Sequence, residues 1–162
     1  MKETMASRVR FDPGVKEEMA KRGMHVRGNR ILQGVIAHYI YGAPKPGNII
    51  DHIDGDPYNQ CRSNLQELSR SENALKASFF AKKYRNVHLR THRKRTRYIA
   101  LIQHNGKRIF YKIGYDPEAL AMQVDVVLRG LNIAGMRYNF PLPGEYGIHH
   151  NYIPIDEEKN HD

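Results

Sequence analysis

Two stretches of the chain alternate between polar and apolar residues and predict a β-hairpin. Residues 98–104 and 107–114 are rich in β-branched and aromatic residues, and only Asn105-Gly106 separates them. An Asn-Gly pair between two such runs favours a type I′ turn, because both turn positions need a positive φ. Residues 84–90 supply a third predicted strand beside this hairpin.

An amphipathic helix is predicted directly after the hairpin. Asp116 followed by Pro117 is typical of a helix start, since aspartate caps the N-terminus and proline suits the first turn. The apolar residues that follow recur at helical spacing: Leu120, Val124, Val127, Leu128 and Leu131. Three strands followed by one such helix predict a small α+β unit.

The alternation also assigns the two faces of the predicted sheet. One face is expected to pack on the helix and holds Val87, Leu89, Tyr98, Ala100, Ile102, Ile109, Tyr111 and Ile113. The outer face is then more basic, although it keeps some apolar residues: His88, Arg90, Arg97, Ile99, Leu101, Gln103, Arg108, Phe110 and Lys112. A sheet of two or three strands fits the major groove of DNA, where arginine can bind guanine and glutamine adenine.

The first part of the chain predicts short helices. Asp12-Pro13 indicates the start of a helix that ends near Gly23, and residues 24–32 form a small predicted hairpin around Gly28-Asn29. Residues 34–41 then predict a short apolar helix, which a stretch rich in glycine and proline ends.

A strand–loop–strand–helix segment is predicted next. Residues 48–53 are expected to form a strand and residues 54–63 a polar loop, after which Asn64 begins a second short strand. A serine, either Ser69 or Ser71, can cap a helix that runs to about residue 81.

The charge of the chain is concentrated in one segment. The 162 residues carry 26 Lys+Arg and 17 Asp+Glu, a formal net charge of +9. Residues 73–115 hold 12 of the basic residues and no Asp or Glu, which leaves 14 basic and 17 acidic residues elsewhere. Such a window indicates nucleic-acid binding, the alternative being a solvated basic surface.

Composition excludes several other classes of protein. Mean hydropathy is −0.68 and no long apolar run is present, so we expect no membrane-spanning helix and no secretory signal. The single cysteine, Cys61, can form neither an internal disulfide nor a cysteine zinc cage. We therefore expect a soluble, intracellular, basic protein whose partner is a polyanion.

Asp51 and His52, with Asn64 and Asn73 downstream, could support phosphodiester hydrolysis. If the segment folds back on itself, Asp51 and Asn73 can offer oxygen ligands to a hard cation such as Mg²⁺. The imidazole of His52 could deprotonate a water molecule. Spacing alone leaves an ordinary turn as the alternative.

The same segment resembles the HNH (ββα-metal) endonucleases of phages and homing elements over residues 37–81. The resemblance rests on Asp51-His52-Ile53-Asp54-Gly55-Asp56, Asn59, Ser63-Asn64-Leu65 and Ser71-Glu72-Asn73. It implies that His52 is the general base, that Asp51 and Asn73 bind one divalent cation, Mg²⁺ or in its place Mn²⁺, and that Asn64 braces the histidine loop.

Two positions depart from that family pattern. Lys76 stands where relatives often carry asparagine, and it is a candidate phosphate contact or else an exposed helix residue. His38 lies in the upstream helix, where relatives often have a His-Arg pair, but Tyr39 follows it, and we interpret His38 as structural.

Residues 82–141 resemble the Apetala2/ethylene-response-factor DNA-binding domain. The resemblance rests on Tyr84-Arg85-Asn86-Val87, residues 98–102, Lys112-Ile113-Gly114, the helix from Pro117 and Tyr138-Asn139-Phe140-Pro141; Asn86 replaces the usual glycine. It implies sequence-biased binding in the major groove. The candidate contacts are Arg85, on resemblance alone, and His88, Arg90, Arg97, Gln103, Arg108 and Lys112.

The sequence as a whole predicts a two-module DNA endonuclease of the homing type. We expect it to be cytoplasmic and to act on double-stranded DNA, with neither a membrane nor an evident protein partner. Residues 1–81 form the expected HNH domain, with its motif at 48–81, residues 82–141 the DNA-binding domain, and residues 142–162 a flexible tail. The alternatives are a DNA-binding protein with an inactive nuclease centre and an RNA-binding protein, which would need exposed aromatic residues. Cleavage of one strand or of both is left open.

Overall fold

The computed structural model describes residues 9–24, 30–77, 83–92 and 95–148. Its contacts divide the chain into two compact units, Met1–Arg70 and Ser71–Asp162. The domain boundary predicted at residue 81 differs from this division, which places the helix after residue 70 with the C-terminal unit. No helix of the described ranges is both long and apolar enough to cross a membrane.

The described part of the N-terminal unit consists of two α-helices, one short 3-10 helix (Arg62–Asn64) and a two-stranded sheet. The α-helices are α1 (Val15–Lys21) and α2 (Arg30–Tyr41), and the strands are β1 (Asn48–His52) and β2 (Leu65–Ser69). The strands are antiparallel, and α2 contacts both of them. The core of this unit is formed by Met19, Ile36, Ala37, Leu65 and Leu68.

The start of α1 differs from the sequence prediction. The helix begins at Val15, and Gly14 precedes it with a φ of 83°. The Asp12 carboxylate accepts a hydrogen bond from the backbone N–H of Arg62 at 2.8 Å, so a long-range partner takes the oxygen that was expected to cap the helix. The predicted hairpin at 24–32 is wrong for residues 30–32, which are helical, and residues 25–29 lie outside the described ranges.

The C-terminal unit contains a three-stranded antiparallel sheet and two helices in its described part. Helix α3 (Arg70–Ala77) comes first; its predicted continuation to residue 81 lies outside the described residues. The sheet has the order β3-β4-β5, and α4 contacts all three strands. The remaining elements are β3 (Val87–His92), β4 (Arg95–His104), β5 (Lys107–Gly114), α4 (Pro117–Gly130), β6 (Arg137–Tyr138) and β7 (Tyr146–Gly147).

The predicted α+β order of three strands and a helix is confirmed. Asn105 and Gly106 form the turn between β4 and β5 with φ values of 50° and 71°, as a type I′ turn requires. The Asp116 carboxylate accepts hydrogen bonds from the N–H groups of Glu118 and Ala119 and so caps α4. Local sequence signals therefore define both elements.

The prediction for the faces of β5 is wrong because β5 contains a bulge. The register shifts between Ile102 and Gln103, so that Ile102 lies opposite Phe110 and Ala100 opposite Lys112. One extra residue in a strand reverses the face of every residue beyond it. Ala100 and Ile102 are buried under α4, and Lys112 donates a hydrogen bond to Gln123 of α4 at 2.7 Å.

The bulge therefore changes which residues of β5 reach solvent. Phe110 and Lys112 face α4, whereas Tyr111 and Ile113 lie on the outer face with exposed fractions of 47% and 41%. The bulge leaves Arg108 on the outer face as well, where its guanidinium lies 4.9 Å from the centre of the Tyr111 ring.

The end of the described chain is held against the C-terminal unit. Strands β6 and β7 pair in parallel. The guanidinium of Arg129 forms two hydrogen bonds of 2.8 Å with the carboxylate of Glu145. The predicted start of the flexible tail at residue 142 therefore does not agree with the structure, in which residues 142–148 take part in these contacts. Residues 149–162 lie outside the described ranges.

Candidate functional site

Asp51 and His52 end strand β1 and are both half-buried. The strand register places Asp51 opposite Gln66 and His52 opposite Leu65. The side-chain amide of Gln66 donates a hydrogen bond to Oδ2 of Asp51 at 2.9 Å. The strand pairing and this hydrogen bond together fix the position of the predicted metal ligand next to the predicted base.

Asn64 holds the loop that follows His52. Its side chain accepts a hydrogen bond from the N–H of Asp54 at 3.1 Å and donates to Oδ1 of Asp54 and to the carbonyl of Asn59, both at 2.9 Å. The carbonyl of Asn64 also accepts from the N–H of Ile53 at 2.8 Å. All four contacts tie Asn64 to the loop, and only 8% of the residue is exposed.

The carboxylates of this loop are engaged in hydrogen bonds and ion pairs. Asn59 donates to Oδ2 of Asp54 at 2.8 Å, and the Arg10 guanidinium lies 2.8 Å from Asp56 and 3.7 Å from Asp54. Burial alone would raise the pKa of Asp54. The hydrogen bonds to its carboxylate and the charge of Arg10 outweigh this effect and lower the pKa below its usual value.

Gln60 contacts His52 and was not found by the sequence analysis. It is fully buried, and its amide nitrogen lies 3.1 Å from Nε2 of His52 and donates to the carbonyl of Pro57 at 2.9 Å. Its backbone N–H donates to the carbonyl of Arg10 at 2.9 Å. A glutamine in a polar loop carries no local signal of burial, so only the fold of residues 10–60 reveals this contact.

Asn73, the second predicted metal ligand, is half-buried on α3 in the C-terminal unit. Its pairing with Asp51 at one cation stays a prediction of the sequence. Lys76 lies on the same helix with 7% of its surface exposed. A buried lysine is a poor phosphate contact, and this position corrects the expectation that Lys76 binds DNA.

The oxygen donors of the predicted site suit a hard cation. Among the described residues no three His, Cys, Asp or Glu side chains are grouped closely enough to form a cage for a metal. A cation held by one carboxylate and one amide oxygen would keep most of its water ligands, as Mg²⁺ commonly does in proteins. Zinc prefers nitrogen and sulfur ligands, whereas the predicted ligands Asp51 and Asn73 offer oxygen atoms.

The structure separates the predicted DNA contacts into three groups. Five of them belong to the outer face of the sheet: His88, Arg90, Arg97, Gln103 and Arg108. Arg85 is fully buried, which argues against the expected contact of its side chain with DNA. Lys112 is exposed but lies on the helix face, bonded to Gln123, and its contact with DNA stays a prediction. His88 and Gln103 also line a cavity of about 330 Å³ together with Ser71, Ala74 and Leu75 of α3. The arginines of the outer face are exposed.

Comparison with known proteins supports a nuclease. Residues 30–75 match the family model of the HNH endonucleases. This segment contains α2, β1, the loop braced by Asn64, β2 and most of α3. No curated protein and no solved structure matches the chain. The match supports hydrolysis of nucleic-acid phosphodiester bonds at the level of the family.

Proposed function

We propose that the chain is a metal-dependent DNA endonuclease of the HNH type, with His52 as general base and Asp51 and Asn73 as ligands of one divalent cation, Mg²⁺ in the first place. The observation that carries the proposal is the Asp51-His52 pair at the end of β1, followed by a loop that Asn64 holds through four hydrogen bonds. The pair lies within the segment that matches the HNH endonucleases.

His52 is the residue that takes a proton from the attacking water molecule. The hydrogen bonds of Asn64 to Asp54 and Ile53 fix the loop that starts immediately after His52, so the imidazole is attached to rigid backbone on both sides. The contact with Gln60 limits the rotation of the ring. Such positioning lowers the barrier because the base needs no reorientation before the proton transfer.

Asp51 and Asn73 would hold the cation. When bound, this cation stabilises the negative charge that develops on the phosphate and on the leaving 3′ oxygen. Gln66 donates to one oxygen of Asp51, which orients the carboxylate. The expected products carry a 5′ phosphate and a 3′ hydroxyl.

The outer face of the C-terminal sheet is the proposed surface for double-stranded DNA. Arg90 and Arg97 lie opposite each other on β3 and β4, and Arg108 is exposed on β5. The three strands that carry this surface come from the segment with 12 basic and no acidic residues. A basic, exposed sheet surface of this kind supports contacts to phosphates and to base edges.

A plasmid assay tests the nuclease proposal. Supercoiled plasmid incubated with the protein and Mg²⁺ is expected to become nicked or linear, and chelation of the metal is expected to stop the reaction. His52→Ala should abolish cleavage and leave DNA affinity intact. His38→Ala is the matched control, because it removes an exposed imidazole from the same unit and should cleave as the wild type does.

The same assay decides between the endonuclease and its alternative. Tight DNA binding without cleavage at any Mg²⁺ or Mn²⁺ concentration would favour an inactive DNA-binding protein that acts by occupancy. Cleavage that survives both the chelator and His52→Ala would contradict the proposed mechanism. The proposal includes a homing function, which predicts that the ends of cleaved genomic DNA map to few sites.

A further inference from the structure

Helix α3 is attached to the C-terminal unit by the buried side chain of Arg85. The Arg85 guanidinium donates a hydrogen bond to the carbonyl of Leu75 in α3. Its other donors reach the carbonyl of Arg137, the sulfur of Met136 at 3.1 Å and the side-chain oxygen of Asn86 at 3.2 Å. One side chain thus connects the helix to the start of the sheet and to the segment that contains β6.

The contact joins Arg85 to the backbone of α3. Leu75 is buried, with 5% of its surface exposed, and Asn73 lies two residues before it on the same helix. A hydrogen bond from a charged, buried guanidinium to this carbonyl is stronger than one between neutral groups. It therefore restrains the described part of α3.

The charge of Arg85 is retained in the interior. Burial lowers the pKa of Arg85 to about 10, and the negative charge of Asp125 opposes this effect, so the guanidinium stays protonated at neutral pH. The carboxylate of Asp125 is fixed in turn by the N–H groups of Asn139 at 3.0 Å and Phe140 at 2.7 Å. Asn139 also accepts a hydrogen bond from the backbone N–H of Arg85 at 2.6 Å.

A second contact holds the first turn of α3. The hydroxyl of Ser71 accepts a hydrogen bond at 2.7 Å from the N–H of Asn105, in the turn between β4 and β5. Leu75 on the same helix is buried, with 5% of its surface exposed. The described part of the helix is therefore bound at two points, by Ser71 to the hairpin turn and through Leu75 to Arg85. Asn73 lies between these two points.

We propose that Arg85 is a positioning residue for Asn73, because it restrains the part of α3 that carries this proposed ligand of the nuclease cation. This inference rests on the proposed function, since it takes Asn73 as a metal ligand. Arg85 would act through the helix and would contact neither DNA nor metal. Its loss should then weaken metal binding while the contacts of the outer face to DNA persist.

The test compares four variants by three measurements. These are Mn²⁺ binding, the metal concentration that gives half-maximal cleavage (the metal midpoint), and DNA affinity without metal. Arg85→Met is expected to raise the metal midpoint by about tenfold, in the range found for residues that orient metal ligands. Arg85→Lys should recover part of this loss because it keeps one charged donor. Ser71→Ala, at an exposed contact, should raise the midpoint by a smaller factor.

Arg129→Met is the matched control. Arg129 is also partly buried and charged, and it donates to the carbonyl of Phe140 at 2.9 Å and to Glu145, but it has no hydrogen bond to α3 among the described contacts. We expect it to lower stability without a change in the metal midpoint. Hydrogen exchange of residues 71–77 supplies a readout other than activity, and it should quicken in Arg85→Met and Ser71→Ala but not in Arg129→Met.

The outcomes separate this inference from the proposed function. A wild type that neither binds Mn²⁺ nor cleaves DNA would overturn the proposed function and this inference with it. A wild type that cleaves, together with an unchanged metal midpoint in Ser71→Ala and Arg85→Met, would overturn the role of Arg85 alone. An equal shift in Arg129→Met would also overturn it, because loss of stability would then explain the effect. If Arg85→Met fails to fold, Arg85→Lys and Ser71→Ala decide.

Discussion

The amide nitrogen of Gln60 lies 3.1 Å from Nε2 of His52 and donates at the same time to the carbonyl of Pro57. The amide oxygen of Gln60 is buried without a hydrogen-bond partner in the described part of the chain. A neutral imidazole carries one ring hydrogen. Its Nδ1 can accept a proton only when that hydrogen is on Nε2. Rotation of the amide by half a turn would then present its oxygen to the Nε2–H group, so Gln60 can bond to either tautomer.

Replacement of Gln60 should affect the chemical step. Gln60→Leu removes the contact that fixes the ring of His52, and we expect kcat for plasmid cleavage to fall by about tenfold or more, with DNA affinity unchanged. Gln123→Leu, which removes an amide from a surface contact with Lys112, should leave kcat as it is. Equal rates for Gln60→Leu and the wild type would show that the ring is oriented by other groups.

Loss of Asn64 should destabilise the N-terminal unit. Asn64→Ala leaves the N–H of Asp54 and the carbonyl of Asn59 without their partners, which should cost about 2–4 kcal/mol of the free energy of unfolding. Asn48→Ala loses one side-chain hydrogen bond, to Glu67, and should cost about 1 kcal/mol. Denaturant titration of both variants measures the difference, and similar losses would argue against a special role of Asn64.

Acid should weaken the loop around Asp54. The pKa of Asp54 is lowered in the folded protein by its hydrogen bonds and by Arg10, despite burial, which acts in the opposite direction. A carboxyl group whose pKa is lowered by folding stabilises the fold at pH values above its unfolded pKa of about 3.9. This contribution disappears as the pH falls through the pKa of the folded state. The stability difference between wild type and Asp54→Asn should therefore be largest near pH 7 and shrink below about pH 4. A difference that is independent of pH would contradict this account.

The two faces of β5 should differ in their effect on DNA binding. Arg108→Ala removes an exposed charge from the outer face, and we expect lower affinity and a salt dependence whose slope falls by about 0.9 for each phosphate that the variant no longer neutralises. Lys112→Ala removes the same charge from the same strand, but its side chain is bonded to Gln123 on the helix face. Affinity measured at several salt concentrations should therefore change little for Lys112→Ala. Equal slopes for the two variants would place the DNA surface elsewhere.

Much of the C-terminal fold could be predicted because its signals are local. The turn at Asn105-Gly106 needs only residues that accept a positive φ, and the start of α4 needs only Asp116 and Pro117. Asn86, which departs from the glycine of the resemblance, adopts a φ of 58° that asparagine tolerates better than most residues. The residues quoted for the HNH resemblance also lie in the segment that the family model matches.

The candidate site could be predicted only in part, because burial depends on contacts between distant residues. Arg85 belongs to a motif that suggested DNA binding, yet it is fully buried and bonded to Leu75 and Arg137. Gln60 looks like a loop residue in sequence, and the backbone of Arg10 and the carbonyl of Pro57 place it beside His52. Neither position follows from residue type or spacing.

The sequence by itself determined the order of β3, β4, β5 and α4, the hairpin turn, the cap of α4 and the place of Asp51 and His52 within an HNH-like motif. Each of these depends on neighbours a few positions away. Only the tertiary structure decided that the bulge in β5, opposite Ile102 and Gln103, turns Lys112 toward α4, and that α3 with Asn73 packs with the C-terminal unit. The bulge and the buried arginine both depend on the packing of the whole unit. Their free energies are set by contacts with residues that are distant in sequence.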